Sequence, residues 1–151
     1  MKQNGKSRYH VYTDGSCFPG GHGGYSFLVL SGDKKNVLKM QSGYLPESTN
    51  NIAELQAILQ ALLKLPDVDL TIYTDSKYSI DALTYYHKIW MRNNWTTSLG
   101  EPVRNKELIQ SILKLMSGRH VSFTKVKGHA GEPLNTVCDY LAKSAAKSLG
   151  K

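Results

Sequence analysis

The chain has 151 residues, 40% of them apolar and 21% charged, which suits one ordinary domain with a buried core and excludes a low-complexity sequence. No apolar run nears the ~20 residues of a membrane span. The polar, basic opening "MKQNGKSRYH" does not read as a signal peptide, and Cys17 and Cys138 are too few for a disulfide framework or a cysteine metal cluster.

Tyr9–Thr13 reads as a strand, and "DGSCFPGGHGG" behind it as a glycine-rich turn whose backbone is free to approach a ligand. Tyr25–Leu30 and Val37–Tyr44 are two more strands parted by the turn-like "SGDKKN", so the first three form an antiparallel meander. A helix is predicted from about Asn51 to Leu65, with Ile52, Leu55, Leu59 and Leu62 at helical spacing and Pro66 as its stop. Leu70–Thr74 is a strand again, and strand–helix–strand succession implies parallel pairing. A second helical stretch starts near Ser76 and runs into "YYHKIWMRNNW". Asn105–Met116 is a helix, Val121–Val126 a strand, "KGHAGEP" a loop and Leu134–Leu149 a closing helix. This order predicts an α/β fold, a five-stranded mixed sheet with helices on both faces. A single domain over residues 1–151 is expected.

Nineteen Lys and Arg against twelve Asp and Glu leave a net charge of +7, which favours a polyanionic partner, nucleic acid first. With no membrane segment and no disulfides, a cytoplasmic monomer without an obligate protein partner is expected.

Tyr-Thr-Asp occurs twice, at Tyr12–Asp14 and Tyr73–Asp75, each time closing an apolar run. The flanking residues differ, so an internal repeat is excluded. If the two strands are parallel neighbours, both aspartates lie at carboxyl ends, where α/β sheets bind ligands. Neighbouring strands are ~4.8 Å apart, so the two carboxylates need a proton or a cation between them. Each also has a local alternative: Asp14 in an Asp-Gly turn, and Asp75 or Ser76 as a helix cap. Glu54 reads equally as the third residue of a helix capped by Asn51 or as an inward-facing group. It lies about 200° from Gln56 on the solvent stripe Gln56, Gln60 and Lys64. Asp139 flanks the apolar stripe of the last helix and alone reads as a solvated residue. His129 alone reads as a loop histidine whose titration range suits proton transfer.

The blocks "YTDGSC", "GGYSF", "STNNIAELQA", "YTDSKY", "PVRN" and "VKGHAGEPLNTVCDYLA" stand in one order over nearly the whole chain. In these the chain resembles a type 1 ribonuclease H of the compact bacterial kind. The resemblance implies the ribonuclease H-like fold and endonucleolytic cleavage of the RNA strand of an RNA–DNA hybrid, leaving 5′-phosphate and 3′-hydroxyl ends. It implies a two-metal-ion mechanism with Mg²⁺, or Mn²⁺ in its place. Asp14 would bridge both ions, Asp139 would hold the one on the nucleophile side, and Glu54 and Asp75 the other. His129 would help to move protons or release product. Asn50, Asn51 and the backbone of Gly15, Ser16 and Cys17 match positions that read the RNA strand. Thr49 and Asn105 match positions that grip a DNA phosphate, and Tyr86 and Trp90 match an aromatic channel. Lys88, Arg92, Arg104 and Lys106 match a basic protrusion.

Against the family pattern, the glycine stretch after Cys17 is one residue short, Glu47 stands where a basic residue is common, and Lys77 replaces a frequent glutamine. No separate hybrid-binding domain is expected. A reverse-transcriptase nuclease domain and a non-catalytic nucleic-acid-binding module of the same fold are the alternatives.

Overall fold

The computed structural model describes residues 8–127 and 133–151. Five strands, β1 (Arg8–Phe18), β2 (His22–Leu30), β3 (Val37–Leu45), β4 (Asp69–Thr74) and β5 (Val121–Lys125), form one sheet in the order β3-β2-β1-β4-β5. The meander β1–β2–β3 is antiparallel, and β4 and β5 join it in parallel, as the element order implied.

Alternation along the strands divides the core between two faces. Val11, Phe27, Val29, Leu70 and Ile72 pack with Leu55, Ile58 and Leu62 of α1 (Asn50–Lys64) and with Ile109 and Ile112. The other face carries Tyr12, Leu28 and Leu30, which meet Cys138 and Leu134 of the closing helix. Each fully buried large apolar side chain contributes roughly 1.5–3 kcal/mol.

Between β4 and β5 the chain runs as α2 (Lys77–Asp81), a π-helical turn (Ala82–Tyr86) and α3 (His87–Arg92), then α4 (Lys106–Met116). Asn105 enters α4 in the left-handed region, φ 62°, which asparagine tolerates better than most residues. The closing helix α5 spans Pro133–Ser148.

Two expectations require correction. The glycine-rich stretch is not one long turn: β1 runs on to Phe18 and β2 starts at His22. Gly23 and Gly24 are strand residues, and what they omit is bulk. A Cβ on Gly24 would stand 2.2 Å from the Ala142 carbonyl oxygen, so its absence lets α5 lie against the sheet. The cap of α1 is Thr49, whose hydroxyl accepts a hydrogen bond from the Ile52 amide at 3.1 Å. Asn51 lies inside the helix, so Glu54 is not its capping partner.

Candidate active site

The parallel register of β1 and β4 ends at Tyr12 opposite Tyr73, so continuing it brings Asp14 level with Asp75. Asp75 follows directly on the end of β4. Asp14 does not close its strand: it sits within β1, opposite Ser26 of β2, and β1 continues beyond β4. Past this point β1 has a strand partner on one side only, and there the carboxylates gather.

Three arrangements bring them together. Gly15 lets α1 pass against β1, since a Cβ there would lie 2.3 Å from the Ala53 carbonyl carbon and the Glu54 nitrogen. Glu54 therefore enters the site from the first turns of α1. Ser76 caps α2 by accepting from the Ser79 amide at 3.1 Å, which leaves the Asp75 carboxylate for the site. The Ser26 hydroxyl donates to the Cys138 carbonyl at 2.6 Å, fixing α5 immediately before Asp139.

One carboxylate oxygen each from Asp14, Glu54 and Asp75 lies within 4.8 Å of the others. Asp14 is only 3% exposed. Burial and then the charges of Asp75 and Asp139 push its carboxyl up to about 8; only the Gly15 amide, 2.9 Å from Oδ1, opposes this. Burial and then Asp14 and Asp75 push Glu54 up to about 10. Glu54 Oε1 is buried without a hydrogen-bond partner. Asp139 reaches Asp14 from α5 and also pairs with Lys143, whose Nζ lies 3.1 Å from Oδ2.

Crowded hard oxygens, an orphaned buried oxygen and two carboxyls that resist ionisation all fit a divalent cation. The three carboxylates Asp14, Glu54 and Asp75 can hold a metal ion, and Asp139 adjoins them.

The family model described as RNase H matches residues 6–147. The chain belongs to the ribonuclease H family. The ribonuclease H of Chlorobium limicola is 44% identical over 147 residues, covering 95% of this chain and 98% of that protein. The ribonuclease H of Caldicellulosiruptor saccharolyticus is 41% identical over 143 residues, covering 92% and 96%. Among solved structures, LC9-RNase H1, a type 1 RNase H with the type 2 active-site motif, superposes with a TM-score of 0.85 at 26% identity, covering 98% of this chain and 76% of that one.

The remaining expected site residues are spread over several elements. Asn50 and Asn51 are exposed at the start of α1, beside Thr49. Gly15, Ser16 and Cys17 are strand residues paired with Tyr25, Gly24 and Gly23, not the turn expected of them. Tyr86 and Trp90 stack with centroids 5.8 Å apart; with Lys77, Tyr78, Asp81 and Ala82 they line a groove of about 400 Å³. Asn105 donates to the Tyr78 hydroxyl at 2.9 Å, which ties it to the same groove. Lys88 and Arg92 are exposed on α3. His129 lies outside the described residues.

Residue-by-residue reading missed Lys143 and the packing roles of Gly15, Gly24 and Ser26. Only Lys143 had a local signal, one helical turn beyond Asp139.

Proposed function

We propose that the chain is an endonuclease that hydrolyses the RNA strand of RNA–DNA hybrids, leaving 5′-phosphate and 3′-hydroxyl ends. The observation that carries this reading is the convergence of Asp14, Glu54 and Asp75 around an unpartnered Glu54 oxygen, in a member of the ribonuclease H family. LC11-RNase H1, a structural neighbour with a TM-score of 0.68, was solved in complex with RNA/DNA hybrid. Its 24% identity supports the shared fold.

Asp14, Glu54, Asp75 and Asp139 would hold two Mg²⁺ ions, or Mn²⁺ in their place. Bound ions of this kind lower the pKa of an attacking water and offset charge on the leaving oxygen. The protein's own part is to orient the scissile phosphate and exclude alternatives. Asn50, Asn51 and the β1 backbone from Gly15 to Cys17 face the RNA strand, where the 2′-hydroxyl separates RNA from DNA. Thr49 and Asn105 hold a phosphate of the DNA strand, and the Tyr86–Trp90 groove takes its sugars. His129 carries a proton toward or from the product. The enzyme works as a cytoplasmic monomer.

Labelled RNA–DNA hybrid, duplex RNA and duplex DNA, each with Mg²⁺ or with EDTA, test the reading. Cleavage of the hybrid alone, and only with metal, is expected. An uncut hybrid in Mg²⁺ overturns the proposal. Replacing Lys88 or Arg92 with glutamine tests the basic surface separately: removing one cation that neutralises a phosphate should flatten the log–log salt dependence of hybrid binding by about 0.9. An unchanged slope assigns that residue to solvent.

A further inference from the structure

An aspartate and a lysine four residues apart on an exposed helix ordinarily contribute little. The pair on α5 differs in what its acid also touches. Asp139 interacts with Asp14, whose ionisation it opposes, so it adjoins the buried carboxylate cluster. Lys143 reaches that cluster from the solvent side, with Nζ 3.1 Å from Asp139 Oδ2. Among the described residues, no other ion pair involves Asp14, Glu54, Asp75 or Asp139.

Geometry makes this interaction both directive and reversible. The ammonium engages Oδ2, one of the two carboxylate oxygens that Asp139 offers. The Lys143 side chain is 43% exposed against 25% for Asp139, so the lysine can swing into water while the aspartate stays. Its position opposes a divalent ion in two ways: it engages an oxygen of the Asp139 carboxylate, and its charge repels the ion at short range.

We propose that Lys143 is a positioning residue: an internal counter-ion that holds Asp139 in the metal-free enzyme and sets the divalent-ion concentration at which the site fills. This rests on the reading of Asp139 as a metal ligand. Lys147, one turn further along α5, provides the control, because its ammonium lies over the Phe18 ring, 5.8 Å from the centroid.

Binding of Mn²⁺ alone to the full chain, without nucleic acid, can be titrated calorimetrically at neutral pH and constant ionic strength. Lys143→Gln is expected to lower the dissociation constant about three- to tenfold, and Lys143→Arg to keep it within about twofold of the parent. Lys147→Gln should also stay within about twofold, because its charge lies farther from Asp139. In an Asp139→Asn background, Lys143→Gln should have no effect. Unchanged or weaker Mn²⁺ binding by Lys143→Gln overturns the proposal, as does an equal shift from Lys147→Gln. If Asp139→Asn itself leaves the titration unaltered, Asp139 is not a ligand and the site assignment falls with the proposal. If Asp139→Asn weakens binding while Lys143→Gln does nothing, only the role of Lys143 falls.

Discussion

Asp14→Asn is expected to abolish hydrolysis and, in the same molecule, to raise the stability of the metal-free protein. Asp14 is buried and lies beside the charges of Asp75 and Asp139, which together push its carboxyl up to about 8, against an ordinary value of 3.8. Glu54 stands at about 10, against 4.5. Between roughly pH 4 and these raised values the folded state binds more protons than the unfolded chain. Stability in EDTA is therefore fully present below about pH 4 and is lost as pH rises through 8 and 10. Asparagine cannot ionise, so the variant escapes the part of this loss that Asp14 causes.

Above neutral pH the gain should be about 2 kcal/mol, which for a chain of this size raises the melting temperature by roughly 4–8 °C. Melting curves in EDTA at acid, neutral and alkaline pH check it. The two proteins should converge in acid and separate in alkali; coincident curves throughout would show that Asp14 is not under electrostatic strain. Mg²⁺ should stabilise the parent more as pH rises, because binding displaces protons, and should do little for the variant. Cleavage should fall roughly a thousandfold or more, the scale of several kcal/mol of metal catalysis. Hybrid binding should survive, because the residues proposed to hold the backbone phosphates lie outside the carboxylate cluster.

Gly15→Ala should be severely damaging both to folding and to the site. The new Cβ would meet Ala53 and Glu54 main-chain atoms at 2.3 Å, and a helix backbone cannot step aside as a side-chain tip can. Overpacking of this kind costs about 1–3 kcal/mol, and a backbone-to-backbone clash belongs at or above the upper end. Any relief must push α1 away from β1 and carry Glu54 out of reach of Asp14 and Asp75. Turnover should therefore drop even in the fraction that remains folded. Gly118→Ala makes a suitable contrast. There φ is 86° and nothing lies within 4 Å of the added atom, so only backbone strain of roughly 1–2 kcal/mol is expected, with activity intact. Denaturant titration and turnover at saturating Mg²⁺ separate the two cases. Equal destabilisation and equal turnover would refute the packing role of Gly15.

The sequence revealed the architecture because its signals were local: alternation in the strands, 3.6-residue spacing in α1 and α5, and a stop at Pro66. Glu54 was legible as an inward residue from helix phase alone. The α1 cap was not, since Ser48, Thr49, Asn50 and Asn51 are all competent caps and composition does not rank them. The glycines misled for a related reason. Gly23 and Gly24 look like turn residues, but they are strand positions emptied of side chains for Ser48 and α5, which are distant in sequence. No local pattern carries the Ser26–Cys138 hydrogen bond, which joins residues 112 positions apart.

The tyrosines of the repeated tripeptide gain a meaning from the sheet. Tyr12 and Tyr73 are register partners, and their rings stack at 4.5 Å, 9° from parallel, with the Lys34 ammonium 4.7 Å from the Tyr73 centroid. A strand that slips by one residue turns each of its side chains to the opposite face. Such a slip of β1 would break this stack and, two residues on, turn Asp14 away from Asp75. The paired rings thus favour the one strand alignment that also sets Asp14 level with Asp75.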